Sequence, residues 1–403
     1  MTDDLYDVII VGAGPAGGTA AYFLGEAGKR VLVLEKETLP RYKTCGGGLS
    51  RQFLQEQFPF SFDPIMQTQV DSITWALKGV VFTIPVCQGA IGMVMRDQLD
   101  SFILSHARVE VQQGKAIRSV VELEDRVTVE TQDGEQFSAR YLIGADGANS
   151  IVARSLGLRK RRTLAAAIEV EAPVSAEIMR RYGHQPVFIF GEMHWGYLWI
   201  FPKADHLSVG IAGLHPKPGE LQAKLRKVMA RYGISIEGVP LHGHPVPVYI
   251  HAEKISTRRC LLAGDAAGLV DPLTGEGIRF GIKSGRLAAE AILNERVDAY
   301  GGEVRRKISF DHSMTVWVGR FFYTFQWLCT LLGAPNPFTA SAVVDLLSDR
   351  LSTAGFMLVA IVTLPIFLLT EITAGIAGLF GGPKTASRIR AAVYPEVINA
   401  AAL

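Results

Sequence analysis

Four sets of residues in this 403-residue chain have the types and spacing that chemistry needs. The first opens it: Asp7-Val-Ile-Ile-Val-Gly12-Ala13-Gly14-Pro15-Ala16-Gly17, with Glu35 and Lys36 closing the next apolar run, Val31-Leu-Val-Leu. Gly12 allows a tight turn after a buried strand. Gly14 lets backbone approach a pyrophosphate, and Gly17 lets a helix pack closely on that strand. The free amides that follow Pro15 and the helix dipole favour an anionic phosphate. Glu35 stands at the right distance for ribose hydroxyls. The second set is the loop Pro40-Arg-Tyr-Lys43-Thr-Cys45-Gly46-Gly47-Gly48. The third is Tyr197-Leu-Trp199-Ile-Phe201-Pro202-Lys203, and the fourth is Cys260-Leu-Leu-Ala-Gly264-Asp265, followed by Gly275-Glu-Gly277-Ile278.

The fourth set decides which dinucleotide is expected. Asp265 follows a buried strand and is placed to start a helix. Its carboxylate can take ribityl or ribose hydroxyls, and the amides after it can face a flavin pyrimidine. An N-cap role explains Asp265 alone, but not Gly275 and Gly277, where backbone must approach something closely. A nicotinamide dinucleotide needs one fingerprint, so FAD is the expected cofactor. Cys45 is either a small inert thiol or a reactive one, depending on its surroundings. Tyr197, Trp199 and Phe201 alternate and project from one strand face. They form either sheet core or the roof of a long apolar tunnel.

The elements that must position these groups follow from periodicity. Residues 1 to about 37 read as strand, helix and strand. Apolar spacing in Met95–Leu104 predicts a helix with Arg96 near its start. Residues 117–146 read as a hairpin, and 165–253 as an antiparallel sheet. The expected division is an α/β Rossmann-like FAD-binding domain in three pieces, 1–65, 88–160 and 254–300. It is interrupted by an antiparallel-sheet substrate domain, 66–87 and 161–253, and followed by a helical, apolar region, 301–403. Ala354–Thr370 carries no charge, is broken by Pro365 and ends at Glu371. It reads as a buried or lipid-facing helix, a membrane span or a core helix.

Composition narrows the classes. Lys plus Arg number 41 and Asp plus Glu 39, so no nucleic-acid partner is expected. Cys45, Cys87, Cys260 and Cys329 are widely spaced and form no disulfide framework. With no signal peptide visible, a cytoplasmic location is expected, with membrane association at the cytoplasmic face. His242 and His244 share a strand face, but no third ligand is nearby and no metal is expected. The run Arg159–Arg162 reads as a solvated basic face.

Gly12-x-Gly14-x-x-Gly17, Gly144-Ala-Asp146-Gly147 and Gly264-Asp265, in this order, resemble the flavoprotein fold of para-hydroxybenzoate hydroxylase, squalene epoxidase and geranylgeranyl reductases. The Cys45-Gly-Gly-Gly loop and the Gly196–Lys203 strand, with Gly210-Ile-Ala-Gly213 after it, are similar to the geranylgeranyl reductase family. The likeness spans residue 8 to about residue 290. It implies that Gly12, Gly14, Pro15, Ala16, Gly17, Glu35 and Lys36 bind the AMP half of FAD, and that Arg96 reaches the phosphates or ribitol. Gly264, Asp265, Gly275, Gly277 and Ile278 would hold the ribityl chain and isoalloxazine. Asp146 would lie near the cofactor or serve as a turn acid. Cys45, Gly46 and Gly47 would lie beside the flavin, with Cys45, Tyr197 and Trp199 as catalytic candidates. Tyr197, Trp199, Phe201 and Pro202 would bind substrate.

The implied activity is an FAD-dependent oxidoreductase acting on CH–CH groups, which saturates double bonds of a geranylgeranyl-type isoprenoid. NADPH or a ferredoxin would supply electrons, and the C-terminal region would touch a membrane peripherally. The alternatives are an aromatic or lipid monooxygenase on the same fold, and a flavoprotein passing electrons to a membrane quinone or a protein partner.

Overall fold

The structure is a computed structural model that describes residues 5–86 and 90–394. Cys87 and the domain boundary placed beside it lie outside the described residues.

Tyr6–Val11 and Val31–Glu35 are short apolar strands buried on both faces, as parallel strands covered by helices must be. They pair in parallel, and Glu110–Gln113 extends the sheet beyond Val31–Glu35. On the other side Tyr6–Val11 pairs with the long strand Gln136–Gly144. That strand is shared. Its first half forms the expected hairpin with Val127–Thr131, and its last residues, Leu142–Gly144, pair in parallel with Cys260–Leu262. The late segment carrying Gly264 and Asp265 is thereby laid beside the first glycine turn.

Two helices lock this arrangement. Pro15–Glu26 begins at the glycine turn, and Ile278–Leu293 packs along it. The approach is close because it is glycine on backbone: a Cβ on Gly285 would stand 2.2 Å from the Ala16 carbonyl oxygen. Asp265 itself lies in a short 3-10 turn, Gly264–Ala267, rather than at the start of a long helix. The helix begins only at Ile278, because Gly268 in the left-handed region ends the turn.

The second sheet runs His242–Pro247, Leu164–Pro173, His206–Leu214, Gly196–Pro202, Val187–Phe190, Ser72–Leu77, Val80–Pro85. It is antiparallel except where Val187–Phe190 meets Ser72–Leu77 in parallel. Met66–Val70 does not join it. It pairs with Ile91–Val94, which also pairs with Gly48–Ser50 after the Cys45 loop, in a three-stranded sheet. One face of the large sheet packs Leu198, Ile200, Val209 and Ile211 against the helix Glu220–Arg231.

The C-terminal region is helical, and one element departs from expectation. Thr353–Gly381 is a single 29-residue helix that continues through Pro365 and Glu371. Glu371 does not end it, because glutamate is itself a good helix former, and its carboxylate pairs with Arg390 of the next helix at 2.8 Å. Among the described residues this is the one helix long and apolar enough to cross a membrane.

Candidate active site

The glycine turn is shaped by contacts that no side chain would tolerate. Gly12 has φ +97°, and a Cβ there would stand 2.4 Å from the Ala145 carbonyl oxygen. A Cβ on Gly17 would stand 1.9 Å from the Gly12 carbonyl oxygen. Gly14 differs: its Cβ would face open space bounded by the guanidinium groups of Arg41, at 3.8 Å, and Arg96, at 3.9 Å. The helix starting at Pro15 has no side-chain cap and no acid in its first turn. Its opening amides therefore face two cations across a gap, as a phosphate requires.

Glu35 is buried and serves the turn first. One carboxylate oxygen accepts from the Ala13 amide at 2.7 Å; the other accepts from the Glu37 amide and lies 3.6 Å from Arg41 Nε. Lys36 is largely exposed, at the cavity mouth. Arg96 grips Asp100 through two bonds of 2.9 Å each, and Arg41 reaches the same carboxylate at 3.1 Å. Burial works against the charge on Arg96, but Asp100 outweighs it and holds the guanidinium above its ordinary pKa. Lys43 is pushed down to about 8 by burial, an effect opposed by Asp265 and reinforced by Arg96 and Arg41. His244, in contact with Lys43, is pushed down to about 3 by burial and by that ammonium, so it is neutral at physiological pH. The His242 ring lies tilted against the Tyr42 ring, with centroids 4.2 Å apart.

Apart from Ala13, Gly17 and Asp100, these groups line one cavity of about 1020 Å³. It runs from Gly12, Gly14, Pro15, Ala16 and Glu35, past Asp265 and Gly275–Ile278, to Phe188, Tyr197, Trp199 and Phe201. Cys45, Gly46 and Gly47 also line it. The loop is held there from below. Lys203, almost fully buried, donates to the carbonyls of Gly46 at 2.7 Å and Val94 at 2.9 Å. A Cβ on Gly46 would stand 2.6 Å from the Phe201 ring, so glycine is required for the loop to lie on the aromatic wall.

Several expected residues sit differently from their expected roles. Pro202 lies outside the cavity lining, because strand alternation turns it to the opposite sheet face from Tyr197, Trp199 and Phe201. Gly17 does not line the cavity either, and acts by letting helix meet turn. Tyr197 donates its hydroxyl to the Thr274 carbonyl, and burial raises its pKa. Trp199 Nε1 donates to Ser208 Oγ at 3.4 Å. Asp146 lines the cavity, yet one of its oxygens caps Ile151–Ser155, accepting from the amides of Ile151 at 2.6 Å and Val152 at 3.1 Å. Burial raises its pKa against those bonds. Arg159 is buried rather than solvated, and donates to the carbonyls of Asp265 and Ala266 under the 3-10 turn.

Sequence reasoning missed the cradle roles of Arg41, Asp100 and Lys43. Asp100 had a signal, standing four residues after Arg96 on one helix face. Arg41 had none, since its partners depend on the path of an irregular loop.

Glycine turn, uncapped helix and paired guanidinium groups fit the diphosphate of FAD, and the Asp265 turn fits its ribityl end. This fold and site define an FAD-dependent oxidoreductase. Residues 5–54 and 90–208 match the FAD binding domain family. Geranylgeranyl diphosphate reductase of Rhodobacter capsulatus is 31% identical over 316 residues, 72% of this chain and 75% of that protein. Digeranylgeranylglycerophospholipid reductase 2 of Methanopyrus kandleri is 30% identical over 307 residues, 71% of this chain and 76% of that one. The crystal structure of a geranylgeranyl bacteriochlorophyll reductase-like protein from Thermoplasma acidophilum covers 98% of both chains, with a TM-score of 0.71 at 22% identity, a likeness of fold. The chain belongs to the geranylgeranyl reductase family.

Proposed function

We propose that this protein saturates carbon–carbon double bonds of a geranylgeranyl-type isoprenoid carried on a diphosphate, a chlorophyll side chain or a lipid. The observation that carries this reading is the continuity of the cavity: cationic at the glycine turn, aromatic at Phe188, Trp199 and Phe201, with the Cys45 loop at the junction. Cavities for one small ligand fall in the range of about 300–1,000 Å³, and this one reaches that upper bound with an apolar end to spare.

Reduced FAD, when bound, supplies a hydride from its N5. The chain's own residues do the rest. Arg41, Arg96 and the first helical turn hold the diphosphate, with Glu35 beside the ribose. Asp265 and Gly275–Ile278 orient the ribityl chain and ring. Tyr197 pins the Gly275 loop through the Thr274 carbonyl. Trp199 and Phe201 exclude water from a chain that has no polar atoms to hold. Since the Tyr197 proton is committed to a carbonyl, we assign Tyr197 and Trp199 to the wall and leave Cys45 as the thiol beside the reacting carbons. We infer the expected division of labour, with the sheet built around Tyr6–Val11 holding cofactor and the sheet built around Gly196–Pro202 holding substrate.

NADPH or a ferredoxin fits as electron donor. The long C-terminal helix exposes Leu358, Ile361, Leu369, Ile372, Leu379 and Phe380, which supports peripheral docking on a membrane at the cytoplasmic face. The test is anaerobic. The FAD-loaded protein is reduced with dithionite and geranylgeranyl diphosphate is added. Recovery of the oxidised flavin spectrum, with a prenyl product heavier by two hydrogens per bond, is expected. A flavin that stays reduced and a product that stays unsaturated would sink the reading for that substrate.

A further inference from the structure

Behind the aromatic wall lies a polar cluster that the scheme above does not use. Glu169 and Glu171 stand two apart on the strand Leu164–Pro173, so both project from the face that brings Ala167 into the cavity wall. Glu169 is fully buried. One of its oxygens accepts from the hydroxyl of Tyr42, a cavity-lining residue, at 2.8 Å; the other is buried without a protein donor. Glu171 meets His206 Nε2 at 3.0 Å, and His206 Nδ1 meets Asp205 at 2.7 Å. Side-chain exposure is 86% at Asp205, 20% at His206 and 22% at Glu171, and it vanishes at Glu169. A continuous polar path therefore joins bulk water to the cavity.

The two carboxyls differ in charge. Burial and the neighbouring Glu171 push Glu169 up to about 8. Burial also works against the charge on Glu171, but its hydrogen bonds to His206 and Glu169 outweigh it and keep it ionised. The pair holds one shared proton at neutral pH, filling the oxygen that has no other donor. Among the described residues, the groups acting on the pair are Tyr42, Lys203 and His206, with Cys45 acting on Lys203. Burial lowers the Lys203 pKa against the pull of both glutamates.

We propose that Glu169 and Glu171 form a proton relay from Asp205 and His206 at the surface to Tyr42 at the cavity wall, delivering the proton that double-bond reduction consumes. The proposal rests on the double-bond reading. Saturating one bond takes two electrons and two protons. One proton arrives with both electrons as hydride on one carbon, and the other must be added to the second carbon. The electrons are restored by the pyridine-nucleotide or iron–sulfur donor, and the proton by water. At rest the Tyr42 hydroxyl donates to Glu169. As that proton leaves into the cavity, the Glu169 carboxyl turns and gives its own proton to the Tyr42 oxygen; Glu171 then reprotonates Glu169, His206 reprotonates Glu171, and water restores His206.

The test uses FAD-loaded protein carrying Glu169→Gln or Tyr42→Phe. Before any substrate is added, infrared spectroscopy at neutral pH should show a protonated-carboxyl band that Glu169→Gln removes. Dithionite-reduced flavin should then be reoxidised by geranylgeranyl diphosphate about 10²-fold more slowly in either variant, with flavin content and spectrum unchanged. The wild-type rate should fall as pH rises through the Glu169 pKa, and that fall should vanish in both variants and partly return in Glu169→Asp. If Glu169→Gln does not fold, Tyr42→Phe cuts the same path while leaving both carboxyls in place, at the loss of one hydrogen bond to Glu169. Absence of a carboxyl band that Glu169→Gln removes overturns the relay whether or not the prenyl substrate is turned over, since Glu276 can supply a band of its own. So do variants with wild-type rates and pH profiles. A wild-type protein that shows the band but reduces no prenyl chain overturns the double-bond reading instead, and with it the relay's end point.

Discussion

Gly14 and Gly17 lie three residues apart in one motif, and the structure predicts opposite outcomes for their replacement. At Gly14 the backbone has φ −73° and ψ −175°, which any residue adopts, and the nearest atom to an added Cβ is 3.8 Å away. Gly14→Ala should therefore leave the apoprotein's stability within about 0.5 kcal/mol of the parent, as at an unconstrained site. The added methyl instead fills the gap between the helix amides and the guanidinium groups of Arg41 and Arg96. Forfeiting one charge-assisted hydrogen bond there costs about 1.5–3 kcal/mol, a Kd for FAD weaker by roughly 10- to 150-fold. Gly17→Ala drives a methyl to 1.9 Å from the Gly12 carbonyl oxygen, where only backbone movement relieves the clash. It should cost about 3 kcal/mol, the upper end for overpacking. Urea unfolding of the apoproteins and quenching of FAD fluorescence read the two effects separately. Unchanged FAD affinity in Gly14→Ala would refute the phosphate cradle, and unchanged stability in Gly17→Ala would refute the packing argument.

Further outcomes are checkable. Cys45→Ser should leave FAD bound, since its thiol accepts from the Gly47 amide at 3.4 Å, a bond a hydroxyl can also accept, and should slow only substrate-dependent reoxidation in stopped flow. Glu276 is pushed up to about 7 by burial against the pull of Arg279. Its raised pKa means the native state holds the proton more tightly. The stability it contributes is complete below about pH 4.5 and is lost as pH rises through 7. Glu276→Gln should flatten that part of the urea-derived stability profile, and a profile parallel to the parent's would count against the assignment. Leu369→Glu with Phe380→Glu, both on the exposed face of the long helix, should preserve the melting temperature and abolish cosedimentation with anionic vesicles. Retained binding would remove that helix from the docking surface.

The cofactor half of the site was legible because its determinants are local. Gly12, Gly14 and Gly17 each answer a steric demand set within a few residues, and Val8–Val11 announces a buried strand without outside help. The aromatic strand was legible as a face, yet Pro202 was drawn into the site by adjacency although strand parity turns it away. Arg159 was misread because its partners, the carbonyls of Asp265 and Ala266, lie more than a hundred residues downstream. A basic run looks solvated until the fold supplies such acceptors. Glu169 and Glu171 gave no signal either. Two glutamates at spacing two read as a polar edge, and only burial beside each other, Tyr42 and Lys203 gives them different charges.

The sharing of Gln136–Gly144 between an early hairpin and the late strand Cys260–Leu262 has a consequence for synthesis. The chain emerges from the ribosome in order, and 230 residues separate Glu35 from Asp265. At about 5–20 residues per second that is an interval of roughly 10–50 s. Throughout it the nascent chain holds the first glycine turn without Asp265, and Leu142–Gly144, once made, stays a bare sheet edge until Cys260–Leu262 follows. The large mixed sheet is completed at Pro247, before that edge is covered. The large mixed sheet is thus available to fold first and to carry Gly264 and Asp265 back to their partners, so that flavin capture becomes a checkpoint passed only after Asp265 of the 403 residues has been made.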